Sequence, residues 1–266
     1  MTFPRSFHSR MLPVMALLVL SAAAAGKDLK SAEADHWRSS RQLVLVIVPD
    51  WNADHGTLRT FARGAHGGWV AAGIEAPVVI GRNGAAWGLG LNEPRSDGPV
   101  KREGDERSPA GVFRVGTVFG YAAQADTAMP YRALSATDYC VDVSGAKQYN
   151  RIVDANVVGA AAVKGSTEPM RRDIHEHGDQ AYRLGFNIEQ NPQAKPLGGS
   201  CIFGHLWKSP TSPTAGCTAM TPAVMQSLVA WLKAEQKPVF VLLPRAAYLE
   251  LRARWQLPSV AAEPAQ

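Results

Sequence analysis

The sequence lacks several features that would assign it to a class of protein. After its first 25 residues it has no apolar run long enough to cross a bilayer, which excludes an integral membrane span. Its basic residues are scattered and form no stripe interleaved with aromatics, so nucleic acid is not the expected partner. It has no internal repeat and no low-complexity linker, which favours one domain.

The composition that is present suits a globular protein. The chain has 266 residues, of which 46% are hydrophobic and 19% are charged, so it can bury a sizeable core. Its formal net charge is +5. This mild excess suits an anionic wall polymer but does not identify one.

The first 25 residues have the pattern of a secretory signal. Arg5, His8 and Arg10 precede the apolar run MLPVMALLVL, which leads into the small residues of SAAAAGK. The run is shorter than the roughly 20 residues of a spanning helix, which disfavours a retained anchor. No cysteine follows it as a lipoprotein anchor would require. We expect a signal peptide over residues 1–25 and an exported, periplasmic protein.

Strand patterns dominate the rest of the chain. A polar segment over 26–40 precedes an expected domain over 40–256 and an expected frayed tail over 257–266. Strands are predicted over LVLVIVPDW, GWVAAGIEA, APVVIG, AGVFRVGTVFGYA, DYCVDVS, RLGFNIEQ, SCIFGHLW and PVFVLLP. Helices are predicted over TPAVMQSLVAWLKAEQKP, where Thr221 can cap and Pro222 fits the first position, and over AAYLELRARW. The expected fold is mainly β with a few helices.

One stretch, GSCIFGHLWKSPTSPTAGCTAM, places His205 twelve positions before Cys217. A thiol must lose its proton to attack a carbonyl, and a nearby imidazole can take that proton. Gly216 lets the chain turn so that neighbouring amides point at a developing oxyanion. By spacing alone, such a pair is more often structural than catalytic.

Three cysteines in an exported chain suggest one disulfide and one free thiol. Cys140 and Cys201 lie in strand patterns, whereas Cys217 lies in a turn ahead of the Thr221 cap. We therefore favour a disulfide between Cys140 and Cys201, with Cys217 free. The alternatives are that Cys140 and Cys201 are both reduced, or that Cys201 pairs with Cys217.

No metal or cofactor is expected. His175 and His177 in DIHEHGDQ could share one side of a strand and bind zinc, but no third ligand at metal spacing is evident, so a solvated loop is favoured. The mixed-sign run KREGDE is also interpreted as a solvated loop. The stretch GLGLN lacks the further glycine and the helix of a phosphate loop.

The stretch IFGHLWKSPTSPTAGCTAM resembles the signature of the YkuD-type L,D-transpeptidases, in which His, a spacer, Ser or Thr, a variable residue, Gly and Cys follow in order. His205, Thr214, Gly216 and Cys217 match it position by position. Upstream, KREGDERSPAGVF resembles the TPxGxF motif at the start of a strand in that family. The resemblance implies a single-domain β-sandwich or partly closed barrel.

The resemblance also implies a reaction on peptidoglycan stem peptides. Cys217 would attack the L,D bond before the fourth-position D-alanine and form a thioester, which an amine or water would resolve. His205 would act as base and then acid, Thr214 would support His205, and the Gly216 and Cys217 amides would face the oxyanion. An L,D-carboxypeptidase and a non-catalytic peptidoglycan-binding module are the alternatives.

Two positions depart from the commoner family pattern. Ala215 replaces a His before the Gly, and Ala219 replaces an Arg two residues after the Cys. A guanidinium is the usual partner for a substrate carboxylate. The basic residues that could replace it are Arg151, Arg171, Arg172 and Arg183.

Overall fold

The computed structural model describes residues 1–2 and 34–260. The signal peptide predicted over 1–25 therefore lies outside the described residues except for its first two positions, as does most of the segment 26–40. Within the described part of the chain, no helix has the length and apolarity needed to cross a membrane.

Strands make up most of the regular structure. They are β1 (Gln42–Val48), β2 (His55–Arg63), β3 (Trp69–Val79), β4 (Ala85–Trp87), β5 (Ser108–Gly120), β6 (Tyr131–Ala133), β7 (Asp138–Cys140), β8 (Ile152–Asp154), β9 (Glu168–Pro169), β10 (Leu184–Ile188), β11 (Phe203–Leu206), β12 (Thr218–Met220) and β13 (Val239–Pro244). The helices are α1 (Ala155–Val158), α2 (Arg172–His175), α3 (Pro222–Trp231) and α4 (Arg245–Leu251).

Eight strands close into a barrel. Their order is β10-β11-β12-β3-β2-β1-β13-β5, and β5 also pairs with β10 to complete the ring. The parallel pair β1 and β13 is buried along its whole length. A strand covered on both faces needs the continuous apolar run that these two segments have. The mainly β, single-domain fold expected from the sequence is confirmed.

A second, three-stranded sheet lies beside the barrel, in the order β8-β7-β9. Cys140 ends β7 and is joined by a disulfide to Cys201, which lies just before β11 of the barrel. This is the pairing that the sequence favoured. Within this sheet, Cys140 pairs in register with Glu168 of β9.

Both ends of the folded domain extend beyond the expected boundaries. Trp37 is buried, and its ring lies edge-on to Trp255 with centroids 5.6 Å apart, so the domain begins before residue 40. The expected frayed tail is packed as far as residue 260, because the Tyr248 hydroxyl donates to Pro258 O (2.7 Å) and accepts from Val260 N (3.0 Å). Residues 261–266 lie outside the described part.

The strands and helices predicted from the sequence differ from the structure at three places. Strand β2 was missed because polar residues interrupt it, and GWVAAGIEA and APVVIG form the single strand β3. The helix predicted through residue 238 ends at Trp231, followed by a short 3-10 turn over Ala234–Gln236. At its start, the Thr221 hydroxyl accepts from Val224 N, as a capping residue does.

Candidate active site

The candidate site is built on two neighbouring parallel strands. Strand β11 carries His205, and Cys217 lies immediately before β12, so the short strand β12 separates the cysteine from helix α3. The register places Gly204 opposite Thr218 and His205 opposite Ala219. This pairing leaves Cys217 on the strand next to His205, two register positions away from it along the pair.

The turn before Cys217 is held by hydroxyl groups. Gly216 has φ +145°, a conformation that favours glycine. The Thr214 hydroxyl accepts from Gly216 N (3.1 Å) and donates to Cys217 O (2.6 Å). Thr214 therefore shapes the turn and makes no hydrogen bond to His205 among the described residues, which corrects its expected role. The Gly216 amide is likewise occupied and does not face an oxyanion.

A second hydroxyl, from Ser108 of the SPAGVF motif, lies beneath the same turn. Ser108 is fully buried, and its Oγ is 2.7 Å from Gly216 O and 3.0 Å from Cys217 O. It also accepts from Gly81 N at 3.0 Å. The two stretches that carry the family resemblance therefore meet in the fold through this side chain.

The Ser108→Ala variant tests this support. We expect the free energy of unfolding to fall by about 2–3 kcal/mol, because the variant leaves the buried Gly81 amide without an acceptor and releases two carbonyls. Chemical denaturation measures the change. Ser166→Ala is the matched control, since the Ser166 hydroxyl is buried and makes no hydrogen bond with a described residue, so that its loss is expected to be close to neutral. Equal losses for both variants would contradict the role given to Ser108.

Cys217 is a free, buried thiol, 8% exposed. Its Sγ accepts a hydrogen bond from Phe203 N (3.3 Å) and donates to Cys201 O (3.5 Å). The Cys217 amide makes no hydrogen bond with any described residue, so it remains available to an oxyanion.

His205 is held in one tautomer by the main chain. Its Nδ1 lies 2.8 Å from Leu206 O, and because a carbonyl can only accept, Nδ1 carries the proton. Nε2 is left as the basic nitrogen. Burial lowers the pKa of His205 to about 4, Arg172 acts in the same direction, and the bond to Leu206 O opposes them.

The thiol and the imidazole are both neutral in this structure. Burial raises the pKa of Cys217 to about 12, and the Glu168 carboxylate adds to that effect, whereas the Phe203 amide, Lys101 and Arg172 oppose it. Among the described residues, Cys217 and His205 share no hydrogen bond. The arrangement therefore suits general-base removal of the thiol proton during attack, and not a thiolate formed beforehand.

Alkylation kinetics test this neutral state. Because only the thiolate reacts, we expect the rate at Cys217 to rise about tenfold per pH unit from pH 7 towards 10 without levelling. Iodoacetamide labelling followed by mass spectrometry measures the rate. The control is protein unfolded in urea, in which the rate should level above the ordinary thiol pKa of about 8.5. A rate that is constant between pH 7 and 9 would show a preformed thiolate.

A polar cluster that no local sequence pattern indicated lies beside His205 and Cys217. The Tyr182 hydroxyl donates to Glu168 Oε1 (2.7 Å), and Arg172 pairs with the same oxygen (3.0 Å). The Tyr182 ring lies edge-on to His205 and to Phe203, with centroids 5.4 and 5.5 Å apart. Burial raises the pKa of Tyr182 well above its ordinary value, and the charge of Glu168 acts in the same direction. Tyr182 thus connects Glu168 to His205 directly, and to Cys217 through Phe203, whose amide bonds to the sulfur.

Tyr182→Phe separates the hydroxyl from the ring. The ring contact with His205 should remain, while loss of the bond to Glu168 lowers the free energy of unfolding by about 1–3 kcal/mol. Tyr131→Phe is the control, since its hydroxyl donates to Ala122 O at an exposed site and should contribute less. Chemical denaturation compares the two, and a smaller loss at Tyr182 than at Tyr131 would contradict the proposed strength of the Glu168 bond.

The four candidate arginines differ in how they are paired. Arg171 forms two hydrogen bonds to Asp173 (2.9 and 2.8 Å). Arg172 pairs with Glu168, Glu176 and Asp179 at 3.0, 3.2 and 3.2 Å. The side chains of Arg151 and Arg183 are exposed and make no ion pair with described residues.

Two stretches interpreted as solvated loops are partly ordered. In KREGDE, Lys101 is buried and pairs with Asp105, while Glu103 accepts from Ser200 Oγ (2.8 Å) and from the Tyr149 hydroxyl. The run is therefore packed against the segment that leads into β11.

The DIHEHGDQ stretch begins within helix α2, and His175 Nε2 lies 2.8 Å from Ala136 O. Among residues 34–260, no three His, Cys, Asp or Glu side chains are grouped as metal ligands would be.

Comparisons of the chain with protein-family models, with curated proteins and with solved structures found no match. What the site can do is therefore inferred from its own contacts and charges, together with the sequence pattern of His205, Thr214, Gly216 and Cys217.

Proposed function

We propose that this protein is an exported cysteine acyltransferase of the L,D-transpeptidase type that acts on peptidoglycan stem peptides. The observation that carries the proposal is a free thiol with an unoccupied amide, on a glycine turn beside a histidine whose Nε2 is unprotonated. The order of His205, Thr214, Gly216 and Cys217, which resembles the YkuD-type signature, supports the choice of substrate.

The contacts suggest how each group would act. As Sγ of Cys217 attacks the carbonyl carbon of the L-centre, His205 Nε2 takes the thiol proton, and the Cys217 amide donates to the oxyanion. His205 then gives the proton to the amine of the departing D-alanine, which leaves a thioester on Cys217. An amine from a second stem, or water, resolves the thioester after His205 removes its proton.

The direct test is mass spectrometry of the folded protein with a disaccharide-tetrapeptide and, separately, with a carbapenem as acylating agent. We expect release of D-alanine and a carbapenem adduct on Cys217. Products formed with and without an acceptor amine distinguish cross-linking from L,D-carboxypeptidase activity. Absence of both D-alanine release and the adduct would exclude the enzyme.

A non-catalytic peptidoglycan-binding module is the second candidate. The observation in its favour is the neutral, buried thiol, which shares no hydrogen bond with His205 among the described residues. It predicts equal sedimentation of the parent and of Cys217→Ala with sacculi, with no chemistry from either protein.

A further inference from the structure

A cavity of about 640 Å³ lies between β5, β6, the β7–β8 hairpin and the edge formed by β10 and β11. Its apolar walls include Phe119, Ile152 and Phe203. The sequence and the proposed mechanism assign it no role. Its size and mixed lining are those of a site for a small peptide or a comparable ligand.

The cavity carries positive charge. Two arginines line it, and none of the described lining residues is acidic. Arg132 is neutralised, because its guanidinium pairs with Asp138 and donates to Ile152 O (3.1 Å). Arg151 has no such partner among the described residues. The unpaired guanidinium leaves a net positive charge that suits an anionic group.

The backbone that presents Arg151 is firmly held. The side-chain amide of Asn150 donates to Gln190 O (2.8 Å) and Asn191 O (2.9 Å), and its oxygen accepts from Cys201 N (2.9 Å). Arg151 O accepts from Val141 N at 3.0 Å. An exposed arginine without a partner is usually a solvated side chain, but one on so constrained a backbone is positioned to bind a ligand at lower entropic cost.

The cavity is connected to the thiol through Phe203. Phe203 lines it, and the amide of Phe203 donates to Cys217 Sγ at 3.3 Å. Cys140 also lines it, and the carbonyl of its disulfide partner Cys201 accepts from the same sulfur. Cys217 itself does not line the cavity, so a ligand there would contact Phe203, whose amide bonds to the thiol.

We propose that this cavity binds a carboxylate of the stem peptide, with the Arg151 guanidinium pairing with the carboxylate and Phe119, Ile152 and Phe203 contacting aliphatic parts. The assignment of the ligand rests on the proposed function. Arg171 and Arg172 are already paired with carboxylates, and Arg183 lines a different cavity that also contains Glu176 and Asp179. Arg151 is therefore the arginine that takes the place left by Ala219.

The test measures binding without turnover. The parent protein for this test carries Cys217→Ala. Titration calorimetry measures its affinity for the tetrapeptide and for the same peptide with its carboxylates converted to amides. Arg151→Gln is expected to weaken tetrapeptide binding about tenfold, because a charge-assisted pair is lost. Amidation of the peptide carboxylates should weaken binding to the parent by a similar factor. The same amidation should have a smaller effect on binding to Arg151→Gln, because the charged partner of the carboxylate is already absent.

Two further variants sharpen the result. Arg183→Gln is the matched control, an exposed and unpaired arginine at the other cavity, and it should bind like the parent. Arg151→Lys should recover part of the loss. Equal binding by the parent and Arg151→Gln, or no binding of the tetrapeptide by the parent at millimolar concentration, would overturn the proposal. Arg151-dependent binding in the Cys217→Ala protein, with no release of D-alanine by the protein that keeps Cys217, would instead refute the proposed function alone.

Discussion

Cys217→Ala is expected to lower the rate of D-alanine release by at least about 10⁴-fold, because no other described group can form the thioester. His205→Gln should lower it by about 10²–10⁴-fold, the usual contribution of a general base. Glutamine keeps a polar amide at the end of the side chain but cannot take up a proton. Assay of released D-alanine against a disaccharide-tetrapeptide measures both effects.

His175→Gln is the control for the His205 variant, because His175 is exposed and also bonds to a main-chain carbonyl. It should keep the parent rate. A His205→Gln variant as active as the parent would show that another group takes the thiol proton. Unchanged activity of Cys217→Ala would exclude a thioester on this residue.

Removal of the Cys140–Cys201 disulfide is expected to lower the free energy of unfolding by about 4 kcal/mol. The bridge closes a loop with a sequence separation of 61, and the chain-entropy relation gives this value for that length. Urea denaturation of the parent and of the Cys140→Ala/Cys201→Ala variant measures it. A difference below about 1 kcal/mol would contradict the prediction.

The same variant is expected to lose activity at temperatures where it remains folded. Cys201 has φ +56°, which is uncommon for a residue with a side chain, and its carbonyl accepts from Cys217 Sγ. Without the disulfide, the backbone conformation of Cys201 is less constrained, and so is the position of the three-stranded sheet that carries Glu168. Thiol titration of unfolded, unreduced parent protein is the control, and it should find one thiol.

Local sequence signals predicted the elements whose patterns are strong by themselves. The short, β-branched apolar runs of β1 and β13 are typical of strands covered on both faces, and Thr221 followed by Pro222 starts a helix in the expected way. Strand β2 was missed because its inward and outward residues are mixed in polarity. Closure of the barrel through β5 and β10 depends on residues far apart in sequence, which no local pattern records.

The candidate site divides in the same way. The glycine turn at Gly216 and the order of His205 and Cys217 were visible because each depends on residue type and short spacing. Glu168 and Tyr182 were not visible, because they are far along the chain from Cys217 and reach it only through β9, β10 and the sheet beside the barrel. The role of Ser108 was hidden for the same reason, although its motif was recognised.

By itself, the sequence determined which segments must be buried, where the turn before Cys217 needs glycine, and which cysteine is best placed to stay free. The tertiary structure alone decided that the Thr214 hydroxyl bonds to the turn and not to His205, and that burial leaves thiol and imidazole neutral. It also placed Arg151, without an ion pair to a described residue, in the cavity that Phe203 lines. The physical reason is the separation along the chain over which each effect acts. Backbone conformation and hydrophobic patterning act over a few residues, whereas desolvation and ion pairing depend on groups that only the closed fold brings together.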